Sequence, residues 1–576
     1  MYTSELAGGT AAKQGEHKDH DETVEDNGNV GKWVREAPGS ELNSGDPPLF
    51  EVRSLTYRYP DGQTALDGID LIIHRGDRVA LVGHNGAGKT TLAKHLNGLY
   101  RQDSSMVLYR GMPLEGAHLL GARLQIGMLF QDPDDQLFCN TLDEDVAFGP
   151  LKQGLSKAEV DHRVGTALRK AGLEHLRYKP PHHLSYGQKK RAALATLLSM
   201  NPEILILDEP TANLDPKQEQ LFTKLLREFP GTLICISHDL PFLFGLCSRA
   251  VVLEQGRIHH DFSMQELVSH RHYLREHGLD FTFRLSCCRN NGEDHHGDHS
   301  HMAHFAAFSN DPKSGSEDAG QTHSRGLIQM QGYSYRYPDG SWGFREVSLI
   351  IREGESVAVV GENGAGKSTL VSCLAGIFAG QGKYLFSGKP VAGKFRKSLW
   401  REMGVAFQDP ADQLFCPSCR EEVAFGPKQL QLPSAQISER IEEALSLVKL
   451  AGFEDRVPHH LSAGERKRLA LATVLAMRPQ VLILDEPTAN LDPRSEELLC
   501  EILQQLSVTK ILISHDIDII SLLCERTMVM HSGRVIRDYP TSAFLHDEHL
   551  LSINGLDYTF KNACCREIMK LREHTG

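Results

Sequence analysis

A chain of 576 residues is too long for one hydrophobic core, and length alone suggests roughly three or four domains before repetition lowers the count. The formal net charge of -13 weighs against a general nucleic-acid binder, which would carry a basic field. No stretch approaches about 18 continuous apolar residues, and the amino terminus lacks the apolar centre of a secretory signal, so a soluble chain is expected. Twelve scattered cysteines, several inside apolar segments such as Cys235 and Cys373, read as reduced thiols of a cytoplasmic protein.

Residues 1 to 46 hold ten Asp or Glu against four Lys or Arg and are nearly free of aromatics, so 1 to 48 reads as a disordered acidic tail. After it comes YRYPDG at 57 to 62, then the apolar run RVALVG and the loop GHNGAGKTT at 83 to 91, then a helical pattern. Strand, loop and helix are the context that G-x-x-x-x-G-K-[ST] requires to hold a nucleotide. Glycines let backbone amides turn toward phosphate oxygens at a helix start, Lys89 neutralises phosphate charge and Thr90 offers a hydroxyl to magnesium. Further along, FQDPDDQLFC (130 to 139) precedes LSYGQKKR (184 to 191). The strand pattern EILILDEP (203 to 210) then ends abruptly in two acids. Asp208 suits magnesium through water, and Glu209 suits a general base that polarises the attacking water.

All of this recurs. YRYPDG returns at 335 to 340, GENGAGKST stands at 361 to 369, FQDPADQLFC at 407 to 416, LSAGERKR at 461 to 468, and LDEPTANLDP intact at 484 to 493. The offset is 278, then 277, so two copies of one domain are expected at 49 to 283 and 326 to 563. In the second copy Lys367, Ser368, Asp485 and Glu486 take the corresponding roles. Residues 284 to 325 form a polar linker of 42 residues, and 564 to 576 a short carboxyl-terminal tail. Such a linker spans about 35 Å as a coil, which favours pairing of the two copies within one chain.

With its signature segments LSYGQ and LSAGE, each with its serine 23 residues before the Asp-Glu pair, the chain resembles the ABC ATPases over about 470 residues. The resemblance implies an α/β fold of two P-loop nucleotide-binding domains. Each would have a RecA-like core, an antiparallel β subdomain and an α-helical signature subdomain. It implies ATP and Mg2+ as ligands, held by Gly83, Asn85, Gly86, Gly88, Lys89, Thr90 and Thr91 in one loop and by Gly361, Asn363, Gly364, Gly366, Lys367, Ser368 and Thr369 in the other. Ser185 and Gly187 would cap the nucleotide of the second loop, and Ser462 and Gly464 that of the first; as plain residues, the serines also suit helix N-caps. Tyr59 and Tyr337 match the aromatic that stacks on adenine, Gln131 and Gln408 the glutamine at magnesium and water, and His238 and His515 the histidine at the γ-phosphate. Asp215 and Asp492 match the loop aspartate between the sites. Tyr186 and Ala463 depart from the usual glycine without removing a phosphate donor, so both sites are expected to hydrolyse ATP.

The segments DPDDQLFCNTLDEDVAFGP and DPADQLFCPSCREEVAFGP are similar to those of energy-coupling-factor ATPases, including the cobalt-importer type. That likeness implies a peripheral protein at the cytoplasmic face of the cell membrane. Its partners would be an integral membrane coupling subunit and a membrane substrate-binding subunit. Asp145 and Glu422 are then expected in the groove that receives the coupling subunit, although acids at a helix start also suit its dipole. The solute, a vitamin or a metal ion, is left open because its specificity resides in another polypeptide. A sugar-importer ATPase shares these ATP motifs but often has one degenerate site. A soluble ABC protein acting on ribosomes or DNA shares them too, and would show a basic surface or a charged helical insert. The linker histidines His295, His296, His299, His301 and His304, with Cys287 and Cys288 upstream, suit a metal ion or a plain polar tether. Cys416 and Cys419 in CPSC read as incidental, and Cys564 and Cys565 as structural.

Overall fold

The computed structural model describes residues 47–60, 62–100, 107–277, 279, 326–545, 547, 551, 564, 568, 570 and 571. The acidic tail through residue 46, the 284–325 linker with its histidines and cysteines, and Cys565 lie outside the described residues.

The first copy opens with β1 (Phe50–Arg58), β2 (Thr64–Ile73), β3 (Arg78–Val82), α1 (Lys89–Leu96), β4 (Val107–Tyr109), β5 (Met112–Pro113), α2 (Gly116–Arg123) and β6 (Ile126–Leu129). The helices α3 (Leu142–Lys152), α4 (Lys157–Lys170) and α5 (Tyr186–Ser199) follow, then β7 (Ile204–Asp208), α6 (Pro216–Arg227), β8 (Thr232–Ile236), α7 (Leu240–Phe244), β9 (Arg249–Glu254), β10 (Arg257–Ser263), α8 (Met264–Ser269) and α9 (Arg271–Glu276). The second copy repeats the order with β11 (Ile328–Arg336), β12 (Trp342–Ile351), β13 (Ser356–Val360), α10 (Lys367–Leu374), β14 (Gln381–Phe386), β15 (Lys389–Pro390), α11 (Gly393–Ser398) and β16 (Met403–Ala406). It continues with α12 (Cys419–Gln429), α13 (Ser434–Leu447), α14 (Ala463–Leu475), β17 (Val481–Asp485), α15 (Pro493–Gln505), β18 (Thr509–Ile513), α16 (Ile517–Leu523), β19 (Arg526–His531), β20 (Arg534–Pro540) and α17 (Thr541–Phe544). Both copies belong to one compact unit.

Each copy is built on two sheets. The larger runs β10-β9-β3-β8-β7-β6 in the first copy, and β20-β19-β13-β18-β17-β16 in the second. Strands from β6 through β9 pair in parallel and β10 returns antiparallel. Every residue of β3, β7 and β8 is buried, as continuous apolar runs require of a parallel sheet covered on both faces. The smaller sheets, β2-β1-β4-β5 and β12-β11-β14-β15, are antiparallel, and Phe50, Leu66 and Ile73 of the first lie in the same apolar cluster as Leu81 and Leu92 of the larger-sheet layer. Each copy thus combines a mixed α/β core, an antiparallel β portion and a helical portion.

The helical portion stands on α3, α4 and α5, packed through Val146, Val164, Leu168, Ala192 and Ala195. Cys419 occupies the buried first position of α12 that Leu142 occupies in α3, so packing accounts for this thiol. Among the described residues no group of three potential metal ligands converges, all nine described cysteines are free, and no helix is long and apolar enough to cross a membrane.

Candidate nucleotide site

The glycine loops connect β3 to α1 and β13 to α10. Gly88 and Gly366 stand just before the helices in the left-handed region, at φ 100° and 96°. A Cβ on Gly88 would lie 2.5 Å from Ala65 O, and one on Gly366 2.3 Å from Gly343 O, so conformation and space both demand glycine. Lys89 Nζ donates to Gly83 O at 2.7 Å and to His84 O at 2.9 Å. Lys367 Nζ does the same to Gly361 O and Glu362 O, at 2.6 and 3.0 Å. Burial lowers both ammonium pKa values, and the Asp-Glu pair at the end of β7 or β17 pulls each back up.

The Asp-Glu pair of the first copy lies beside its glycine loop. Thr90 Oγ1 donates to Asp208 Oδ2 at 2.9 Å, and among the described residues Ser368 makes no matching bond to Asp485. Burial raises the Asp208 carboxyl, pushes Glu209 to about 7 against the pull of Lys89, and pushes Asp485 to about 6. His238 Nε2 bonds Asn85 Oδ1 at 2.9 Å and stands 3.4 Å from Glu209 Oε1, which is buried and has no hydrogen-bond partner. Burial and the Lys89 charge press the His238 pKa down to about 3. The second copy differs: His515 Nδ1 bonds Glu486 Oε1 at 2.7 Å and Ser514 Oγ donates to Glu486 Oε2 at 3.2 Å. Burial alone would lower the His515 pKa, but the Glu486 carboxylate outweighs it and the value is raised. Two acids and a lysine buried together, with one carboxylate oxygen unsatisfied, fit a phosphate group and a divalent cation.

Tyr59 OH bonds Thr91 Oγ1, and Tyr337 OH bonds Thr369 Oγ1, each at 2.8 Å, so each tyrosine is anchored to its loop helix. Tyr59 also lies edge-on to Tyr57 at 5.2 Å, as Tyr337 does to Tyr335 at 5.1 Å. Gln131 and Gln408 are exposed at the strand ends, and Gln408 Nε2 donates to Asn213 Oδ1 of the other copy at 3.1 Å.

Contacts between the copies converge on the loops. Asn85 Nδ2 donates to Asp492 Oδ2 at 3.1 Å, and Asn363 Nδ2 to Asp215 Oδ2 at 3.5 Å. The other oxygen of each aspartate caps a helix, accepting from Gln218 N on α6 or Ser495 N on α15, both at 2.8 Å. Ser185 and Ser462 are N-caps of α5 and α14 in full capping boxes with Gln188 and Glu465. Neither hydroxyl bonds the opposite glycine loop among the described residues. Gly187 and Gly464 sit tight against the start of α6 and α15: an added Cβ would fall 3.1 Å from Gln218 and 2.5 Å from Ser495 Oγ.

Asp145 and Glu422, expected in the groove that receives the coupling subunit, turn into the fold instead of standing free as partner contacts. They are 3% and 2% exposed. Asp145 Oδ1 accepts from Phe138 N and Cys139 N, both at 3.0 Å, and Glu422 Oε1 accepts from Cys416 N. Burial raises the Glu422 pKa. These acids lie in the first turns of α3 and α12 and turn inward because the preceding loop has backbone donors that need acceptors. The same loop also presents an aromatic ring to solvent. Phe138 is 66% exposed and packs edge-on against Phe148 at 5.1 Å; Phe415, 65% exposed, does so against Phe425 at 5.0 Å. The aromatic pairs were readable as two phenylalanines repeated at the same positions of the two segments. Lys190 and Lys467, which also touch the site, were readable only as a lysine shared by the two signature helices.

The family model described as ABC transporter matches residues 66–212 and 344–489. A provisionally named ABC transporter ATP-binding protein of Methanosarcina acetivorans is 33% identical over 558 residues, covering 88% of each chain. One from Streptomyces avermitilis is 46% identical over 236 residues, 41% of this chain and 90% of its own. Among solved structures, cbiO1 from Clostridium perfringens, described as part of the ABC transporter complex cbiONQ, is 38% identical with a TM-score of 0.37, over 41% of this chain and 97% of its own. With both copies matched, and a relative aligned along nearly all its length, the chain belongs to the ABC transporter family as a tandem ATP-binding protein.

Proposed function

We propose that the chain is the ATP-hydrolysing subunit of an energy-coupling-factor type importer that powers uptake of a metal ion or vitamin through separate membrane subunits. Its ATPase domains occupy 49–283 and 326–563, and it works peripherally at the cytoplasmic face of the cell membrane. The observation that carries the transport reading is the repeated DPxDQLF to VAFGP segment, which exposes an aromatic pair in each copy: Phe138 with Phe148 and Phe415 with Phe425. Exposed aromatic clusters of this kind are apt anchors for a partner's helix. Phe138→Asp with Phe415→Asp should cut capture of the membrane coupling subunit at least about tenfold while the ATPase rate of the isolated chain stays within about twofold. Unchanged capture would remove this surface from the interface.

ATP supplies the transferable phosphoryl group, and Mg2+ neutralises its developing charge. Lys89 and Lys367 hold phosphate charge, Thr90, Ser368, Asp208, Asp485, Gln131 and Gln408 suit the magnesium shell, and Glu209 and Glu486 orient water. His238 and His515 serve the γ-phosphate end, and Tyr59 and Tyr337 the adenine. The two copies close on each other as an intramolecular dimer, a reading supported by the Asn85–Asp492 and Asn363–Asp215 contacts. Each site would then borrow the signature of the opposite copy. Lys89→Ala and Ser462→Arg, made in separate chains, should therefore abolish nucleotide trapping at the same site. Counting trapped nucleotide that placed the two losses at different sites would overturn the pairing.

A further inference from the structure

We propose that Lys190 and Lys467 are positioning residues that hold the general bases Glu209 and Glu486 and tie each base to the signature helix of its own domain. The inference rests on the assignment of those two glutamates as bases.

Lys190 is fully buried, at 0% exposure, a costly place for an ammonium group that chain flexibility would otherwise carry to water. Its Nζ donates to the peptide oxygen of Glu209 at 2.9 Å, and Lys467 Nζ donates to that of Glu486 at 3.0 Å. Both copies thus keep the same bond. The acceptor is an unusual residue: both glutamates have φ 44°, the left-handed region that a Cβ disfavours. Their amides are fixed on the neighbouring strand, Glu209 N to Ile236 O and Glu486 N to Ile513 O, each at 2.9 Å. Their carbonyls also accept from Ala212 N at 3.3 Å and Ala489 N at 3.2 Å, where the strand turns into the loop that reaches the other copy. The lysine therefore secures the open side of a strained residue, and with both peptide planes held the Cα–Cβ direction of the carboxylate is set.

Lys190 also lies five residues beyond Ser185, on one helix. The start of α5 serves the opposite site under the proposed function, while about 7 Å along the same rigid rod Lys190 grips the base of its own site. A nucleotide that moves the start of α5 would thereby move Glu209. Phosphoryl transfer depends on such positioning more than on covalent chemistry.

Steady-state MgATP hydrolysis by the full chain tests the idea. Lys190→Met with Lys467→Met should lower kcat at least about tenfold with KM and ATP affinity within about twofold, because only the orientation of the base is lost. Lys190→Gln with Lys467→Gln, which keeps a shorter donor, should give an intermediate kcat and decides the matter if the Met variants do not fold. In a Glu209→Gln, Glu486→Gln background the Lys→Met changes should cost less than a further twofold or so, because the lysines act through the glutamates. Unchanged kcat in the folded lysine variants, or a full additional loss in that background, would overturn the proposal and leave the bases standing. Retained turnover in the Glu→Gln chain would remove the bases themselves, whatever the lysine variants do.

Discussion

Glu209→Gln together with Glu486→Gln should leave ATP binding intact, lower turnover at least about a hundredfold and trap a closed monomer in which the two copies clasp nucleotide. Glutamine keeps the volume and the hydrogen-bonding reach of the side chain but cannot take a proton from water. The reason to expect so large an effect is geometric. Glu209 Oε1 is a buried carboxylate oxygen with no hydrogen-bond partner, His238 Nε2 stands 3.4 Å away, and burial has already pushed the carboxyl up to about 7. A carboxylate raised toward neutrality is a better base than one in water. Glu486 starts from a different state, with both oxygens engaged by His515 and Ser514, so it must release them before it can serve. Phosphate release measures turnover, and size-exclusion chromatography with ATP measures closure. Undiminished hydrolysis in the double variant would refute both assignments.

Much of the arrangement is legible in the amino-acid sequence because its parts are local. RVALV, ILILD and their second-copy counterparts are buried strands, the glycine loops turn directly into helices, and Asp208 and Glu209 stand where β7 ends. The repeat supplies a control, since a motif seen twice at one offset is not a chance turn. The signature serines show where local reading divides. Ser185 is at once a sound N-cap, with Gln188 completing the box, and the residue that a family likeness assigns to the opposite nucleotide. Its capping bond is a property of the four residues from Ser185 to Gln188; any bond to nucleotide depends on how two domains meet. Inter-copy contacts such as Asn85 to Asp492, 407 positions apart, leave no trace in spacing or periodicity. The same limit hides Lys190, whose partner is a backbone oxygen rather than a complementary side chain. For Asp145 and Glu422 the charge pattern misleads: acids crowd the helix start, yet each of these two turns inward to backbone donors while neighbours such as Glu144 and Glu421 stay at the surface.

That inward turn predicts a loss of stability where an exposed contact would predict only a loss of partner. Asp145→Lys should lower the stability of the first copy by about 3–5 kcal/mol, because it buries an unpaired ammonium and strips the acceptor from two amides. At about 2–4 °C per kcal/mol for a domain of this size, the first melting transition of the chain should fall by roughly 10 °C. Glu422→Lys should do the same to the second copy, where the acid holds Cys416 N in the equivalent loop. Asp145→Asn, which keeps one oxygen for Phe138 N and Cys139 N, should cost only about 1 kcal/mol. Phe138→Asp removes an exposed ring and should leave the melting temperature within a few degrees. Differential scanning calorimetry on the four variants separates the two kinds of residue. The acids are expected to act on partner capture only through the loop they support. If Asp145→Lys melts like the unaltered chain, the Asp145 carboxylate reaches solvent and a direct contact with the coupling subunit returns in its place.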